Sequence, residues 1–106
     1  MENLEVAMSL ITKAGDSRGS CLEAIEFARD GRFDEARDLI KKAVDSMIEA
    51  HEIQTQLIRD EMAGNGKDIS LLMVHAQDHL NLALITRDMA EEMIVLYERI
   101  SRLKEK

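Results

Sequence analysis

Residues 70–103 read SLLMVHAQDHLNLALITRDMAEEMIVLYERISRL, and this stretch decides the fold. Apolar side chains recur at helical spacing without a Pro or Gly to stop them, which predicts one helix of about nine turns. It carries two apolar stripes. One, stepping by fours and threes, is Leu71, His75, Asp78, Leu82, Ile85, Met89, then Glu92 or Met93, Leu96, Ile100 and Leu103. The other is Ile69, Leu72, Met73, Ala76, Leu80, Ala83, Ala90, Ile94 and Tyr97. A helix of a monomeric bundle needs one apolar face, so two predict packing against its own chain and against other copies.

Working outward, the Gly64-Asn65-Gly66 turn precedes this helix, with Asp68 or Ser70 as its cap. A second helix is expected from Phe33 to residue 63 and a first from about Asn3 to Asp30, ended by Gly31. Glu35 suits a capping box, although Arg32 stands where a Ser or Asp would be expected. Gly15 and Gly19 weaken the first helix and allow a bend or a frayed entry between Ala14 and Ser20, since each costs about 1 kcal/mol in a helix interior. The boundaries are thus about 3–30, 33–63 and 69–103 in one domain spanning 1–106. Short connections predict an all-α, antiparallel, up-down-up three-helix bundle.

Composition agrees. Apolar residues make up 45% of the 106 and aromatics only 3%, so the core is built from aliphatic residues and Met, which suit helix packing. A net charge of −7 argues against nucleic acid, which needs a basic stripe, and against an anionic membrane surface. Cys21 is the single cysteine, which excludes an internal disulfide and fits a reducing compartment. No apolar run nears the roughly 20 residues that span a bilayer, and the amino terminus lacks a basic signal-like region. A cytoplasmic protein is expected.

The residues that interrupt the apolar seam are the ones able to do chemistry. His75 and Asp78 lie one turn apart, and His79 lies a turn from His75 on a neighbouring face. Gln77 points away from His75 at 100° per residue. Three readings are open at this point: a satisfied polar pair that fixes register, a metal site shared between chains, or a nucleophilic imidazole that takes up a phosphoryl group. Spacing does not choose among them. His51, Gln54 and Thr55 on the second helix suggest a structural polar cluster.

The run SLLMVHAQDHL, Ser70 to Leu80, resembles the signature of the lactose, cellobiose and diacetylchitobiose-type IIA subunits of the bacterial phosphotransferase system. ARDGRF at Ala28–Phe33, followed by Asp34, Glu35 and Ala36, and the set Ala50, His51, Gln54 and Thr55 agree with that family in order. The resemblance implies a cytoplasmic homotrimer of three-helix bundles. It implies that His75 takes a phosphoryl group from the phosphohistidine of the phosphocarrier protein HPr and gives it to a cysteine of a IIB subunit, indirectly serving a membrane IIC transporter that takes up a β-linked disaccharide. It implies that Asp78 meets its symmetry mates around a divalent cation, with Mg²⁺ expected. His79, next on the helix, is read either as a hydrogen-bond support for the site or as a surface residue. Leu22 to Val44 also resembles a single tetratricopeptide hairpin, a non-catalytic interaction module. That architecture needs several repeats, and only one is present.

Overall fold

The computed structural model describes residues 2–66 and 68–105. Three helices follow one another, α1 (Glu2–Arg29), α2 (Phe33–Met62) and α3 (Leu71–Lys104), with no strand among the described residues.

Helix ends follow from local chemistry. Gly31 has φ +80°, and the chain closes there with Arg32 N–H donating to the Phe27 carbonyl at 2.9 Å and Gly31 N–H to the Ala28 carbonyl at 3.0 Å. The same paired closure recurs at Gly64, φ +83°, where Asn65 N–H donates to Asp60 and Gly64 N–H to Glu61. A left-handed residue just past a helix is cheap only for Gly, so these two glycines set where α1 and α2 stop. Ser70 caps α3, its Oγ accepting from Met73 N–H at 3.1 Å, so α3 begins two residues later than the apolar pattern suggests. Arg32 gives α2 no side-chain cap; it pairs with Glu35 and covers the Phe27 ring at 4.4 Å.

α1 is continuous through Gly15 and Gly19, without a frayed entry. The reason lies on its other face. Ala14, Ser17 and Cys21 are buried there, and Ser17 Oγ donates to the Ala43 carbonyl of α2 at 2.9 Å. Packing along that face outweighs the propensity cost of two exposed glycines.

The core reports the topology. Ala7, Leu10 and Ala14 share a cluster with Met47 and Ala50 of late α2 and with Ala76, Leu80 and Ala83 of early α3. At the other end Ala24 and Ala28 meet Ala36 of early α2 and Ile94 of late α3. α1 and α3 therefore run parallel, with α2 antiparallel to both, in a rod of 61 × 21 × 19 Å. α1 packs extensively on both other helices, whereas α2 and α3 touch each other much less.

The two stripes of α3 separate from Leu72 onward, whereas Ile69, expected on the inner stripe, lies ahead of the helix and is 75% exposed because Ser70 caps α3 after it. Ala76, Leu80, Ala83, Ala90 and Ile94 are buried in the core, whereas Leu71, Leu82, Ile85, Met89, Leu96 and Leu103 face solvent, Ile85 at 61% and Met89 at 55% exposure. One chain buries one stripe and leaves the other bare.

Candidate functional site

Ser70 fixes the start of α3, and the next turn presents His75, Asp78 and His79. His75 and Asp78 are exposed on the bare stripe and His79 is half-buried beside it. The Nε2 atoms of His75 and His79 lie 3.0 Å apart, with the rings edge-on at 84° and centroids 4.4 Å apart. A hydrogen bond at that distance requires one nitrogen to carry the proton and the other to offer its lone pair. An exposed imidazole held by a neighbouring imidazole, at the surface of an apolar strip, is accessible to a protein partner and has its ring orientation set.

Gln77 turns the other way, as its position on the helix requires. Its Oε1 accepts from Gln54 Nε2 at 2.7 Å, and its own Nε2 lies 3.7 Å from Met73 Sδ. This amide pair ties α2 to α3 directly behind the site. Sequence reasoning missed it, grouping Gln54 with His51 and Thr55 instead; His51 stands exposed. A cavity of about 320 Å³ opens on the same side, between the end of α2 and the start of α3, with Gln54, Leu57, Met73, Val74 and Gln77 among its walls. Helix-wheel spacing identifies Gln77 as facing away from His75 but not what it meets, because that depends on the register of α2.

Among the described residues of one chain, no group of three or more His, Cys, Asp or Glu side chains is arranged to hold a metal ion. A cation bound through Asp78 would have to draw its other protein ligands from other chains. Away from the site, Lys13 pairs with Glu49 at 2.8 Å, and Arg37 pairs with Glu98, bridging α2 and α3. The Arg37 hydrogen bond holds the Glu98 carboxyl below its usual range. Burial pushes the Cys21 thiol up, partly opposed by Arg87. No described helix is long and apolar enough to cross a membrane.

Comparison with known proteins places these features in a family. The model of the lactose/cellobiose-specific IIA subunit of the phosphotransferase system matches residues 5–98. The lichenan-specific phosphotransferase enzyme IIA component of Bacillus subtilis is 42% identical over 97 residues, covering 92% of this chain and 88% of the relative. The crystal structure of the cellobiose-specific enzyme IIA from Bacillus anthracis superposes with a TM-score of 0.90 at 38% identity, over 92% of this chain and 90% of that one. The IIA(Chitobiose) chain solved in complex with HPr from the Escherichia coli N,N'-diacetylchitobiose branch superposes at 0.80 with 33% identity, over 92% and 94%. Both the sequence match and the fold run through nearly the whole chain, which therefore belongs to the lactose/cellobiose-specific IIA family of the phosphotransferase system.

Proposed function

We propose that this chain is the phosphoryl carrier of a sugar-uptake phosphotransferase system, with His75 as the residue that carries the group. The observation that supports this most is the exposed His75 imidazole, oriented by His79, in a chain whose fold matches a IIA protein solved with HPr. A ring-nitrogen lone pair of His75 attacks phosphorus of the HPr phosphohistidine. The new N–P bond forms as the donor's N–P bond breaks and its pair returns to the donor ring. A thiolate of the IIB cysteine then attacks the same phosphorus and the His75 N–P bond breaks. Such transfer depends on positioning and charge stabilisation more than on acid–base chemistry.

The family resemblance favours Nε2 as the phosphorylated atom. His79 then has two roles in sequence: it holds the free His75 ring in place, and it donates its Nε2–H to a phosphoryl oxygen once the group has arrived. The start of α3 lies within two turns, and its exposed N–H groups favour added negative charge.

The protein acts as a homotrimer with the bare stripe of α3 along the three-fold axis. Three Asp78 carboxylates converging in an apolar seam repel unless a cation compensates, and hard carboxylate oxygens suit Mg²⁺. Asp78 is the residue that would hold it, and the cation's contribution is to the assembly. Names of relatives that include lichenan and cellobiose support a β-linked disaccharide as the sugar delivered to the IIC transporter, in the cytoplasm, through IIB.

The relay itself is the test. With phosphoenolpyruvate, enzyme I and HPr present, the IIB cysteine should become phosphorylated only when this chain is added. Phosphorylation of IIB at the same rate without it would remove the carrier role.

A further inference from the structure

α2 and α3 are the least tightly joined pair of helices, and among the described residues two side-chain hydrogen bonds run between them. Arg37 to Glu98 lies at the end of the rod remote from the site, and Gln54 to Gln77 lies at the site end, about 30 Å away along α3. Gln54 Nε2 donates to Gln77 Oε1 at 2.7 Å, and both side chains are half-buried. Gln77 Nε2 rests 3.7 Å from Met73 Sδ, so the other half of that amide is also held and its oxygen stays turned toward α2.

Little else fixes these turns in rotation. On one side the early part of α3 shares a core with α1, where Ala76, Leu80 and Ala83 cluster with Ala7, Leu10 and Ala14. Toward the end of α2, packed side chains give way to the cavity of about 320 Å³, with Leu57, Met73, Val74 and the two glutamines in its walls. Empty space supplies no dispersion contacts, so packing there does little to stop α3 rolling about its own axis. The Gln54–Gln77 bond is the directional contact that does.

The pair is placed to govern His75. Gln77 stands about 200° round the helix from both His75 and His79, on the far side of the axis, so a roll that loosens the pair swings both imidazoles together. Their contact with each other survives such a roll, but their aim at a docked protein does not. A ring carried about 6 Å from the axis moves by about 1 Å for a roll of about 10°. A displacement of that size slows a positioned transfer by as much as about a hundredfold.

We propose that Gln54 is a positioning residue for phosphoryl transfer: through Gln77 it fixes the rotation of the first turns of α3 and so aims the His75 imidazole at the phosphorus of the docked donor. The proposal rests on His75 as the carrier and adds the residue that holds it in line. Gln54 lines the cavity behind the site and acts without touching the donor or the phosphoryl group.

The test is rapid-quench measurement of His75 phosphorylation by phospho-HPr over a range of donor concentrations, on the full chain. Gln54→Ala should lower the rate at saturating donor about tenfold and leave the half-saturating concentration within about twofold of wild type. Gln54→Asn, one methylene too short for the contact, should show the same loss and serves if the alanine variant folds poorly. Arg37→Ala removes the other bond between α2 and α3 and should transfer at the wild-type rate, whatever it does to the melting temperature. Because Gln54 acts through Gln77, Gln77→Ala should lose at least as much, and the double variant no more than Gln77→Ala alone. Wild-type saturating rates in Gln54→Ala and Gln54→Asn, an equal slowing in Arg37→Ala, or losses that multiply in the double variant would overturn the proposal and leave His75 as the carrier. A wild-type chain that takes up no phosphoryl group, or a His75→Ala variant that still does, would overturn the carrier reading and the proposal with it.

Discussion

The Nε2 atoms of His75 and His79 sit 3.0 Å apart, one helical turn from each other on α3. Both side chains come from one rigid helix, so this contact is built into the spacing and survives any movement of the bundle.

Replacing His79 with Ala leaves His75 present but unoriented and removes a donor to the transferred group. A hydrogen bond to a charged group contributes about 1.5–3 kcal/mol, so phosphorylation of His75 should continue about ten- to a hundredfold slower. Rapid-quench measurement of the transfer rate from phospho-HPr checks this, and His79→Gln, which keeps a donor, should recover part of the loss. An unchanged rate in His79→Ala would leave His79 without a role in the transfer.

Asp78→Leu completes the apolar seam. Without the carboxylates there is no mutual repulsion and no cation requirement, so the variant should remain trimeric in chelator, whereas the wild type should lose assembly on metal removal more than it loses transfer rate. Native mass spectrometry with and without chelator reads both. A variant that falls apart would contradict an axial placement of Asp78.

Ser17 is fully buried and its hydroxyl reaches the Ala43 carbonyl. Ser17→Ala removes one neutral hydrogen bond at nearly constant volume, so stability should fall by about 1 kcal/mol, measured by urea denaturation. The stretch around Gly15 and Gly19 should exchange its amide hydrogens faster in this variant.

Cys21 is fully buried, and burial raises its thiol above the usual 9.0. A group whose folded value is raised gives its full stabilisation below the unfolded value and loses it as pH rises through the folded one. Stability should therefore decline above about pH 9, and Cys21→Ala should remove that component of the decline. At pH 8 the native protein should resist iodoacetamide, reacting only at its unfolding rate.

Much of this was legible because helices encode themselves in spacing. The division of α3 into a buried and a bare stripe follows from the sequence alone, and so do the stops at Gly31 and Gly64. His75 and Asp78 stood out because a polar group in an apolar seam needs a reason. What spacing could not supply was the register between helices. Gln54 meets Gln77 because α2 happens to pass at that height, and Ser17 can rescue a glycine-weakened α1 only because the Ala43 carbonyl lies opposite. Gly15 and Gly19 read as breakers until the structure showed α1 continuous through them.

The most direct test of the account is the intact mass of the protein after incubation with phosphoenolpyruvate, enzyme I and HPr. The account predicts a gain of about 80 Da, the mass of one phosphoryl group, lost on mild acid treatment and absent in His75→Ala. That variant should remain folded, since the side chain is exposed. No gain with active donors, or the same gain in His75→Ala, would contradict it.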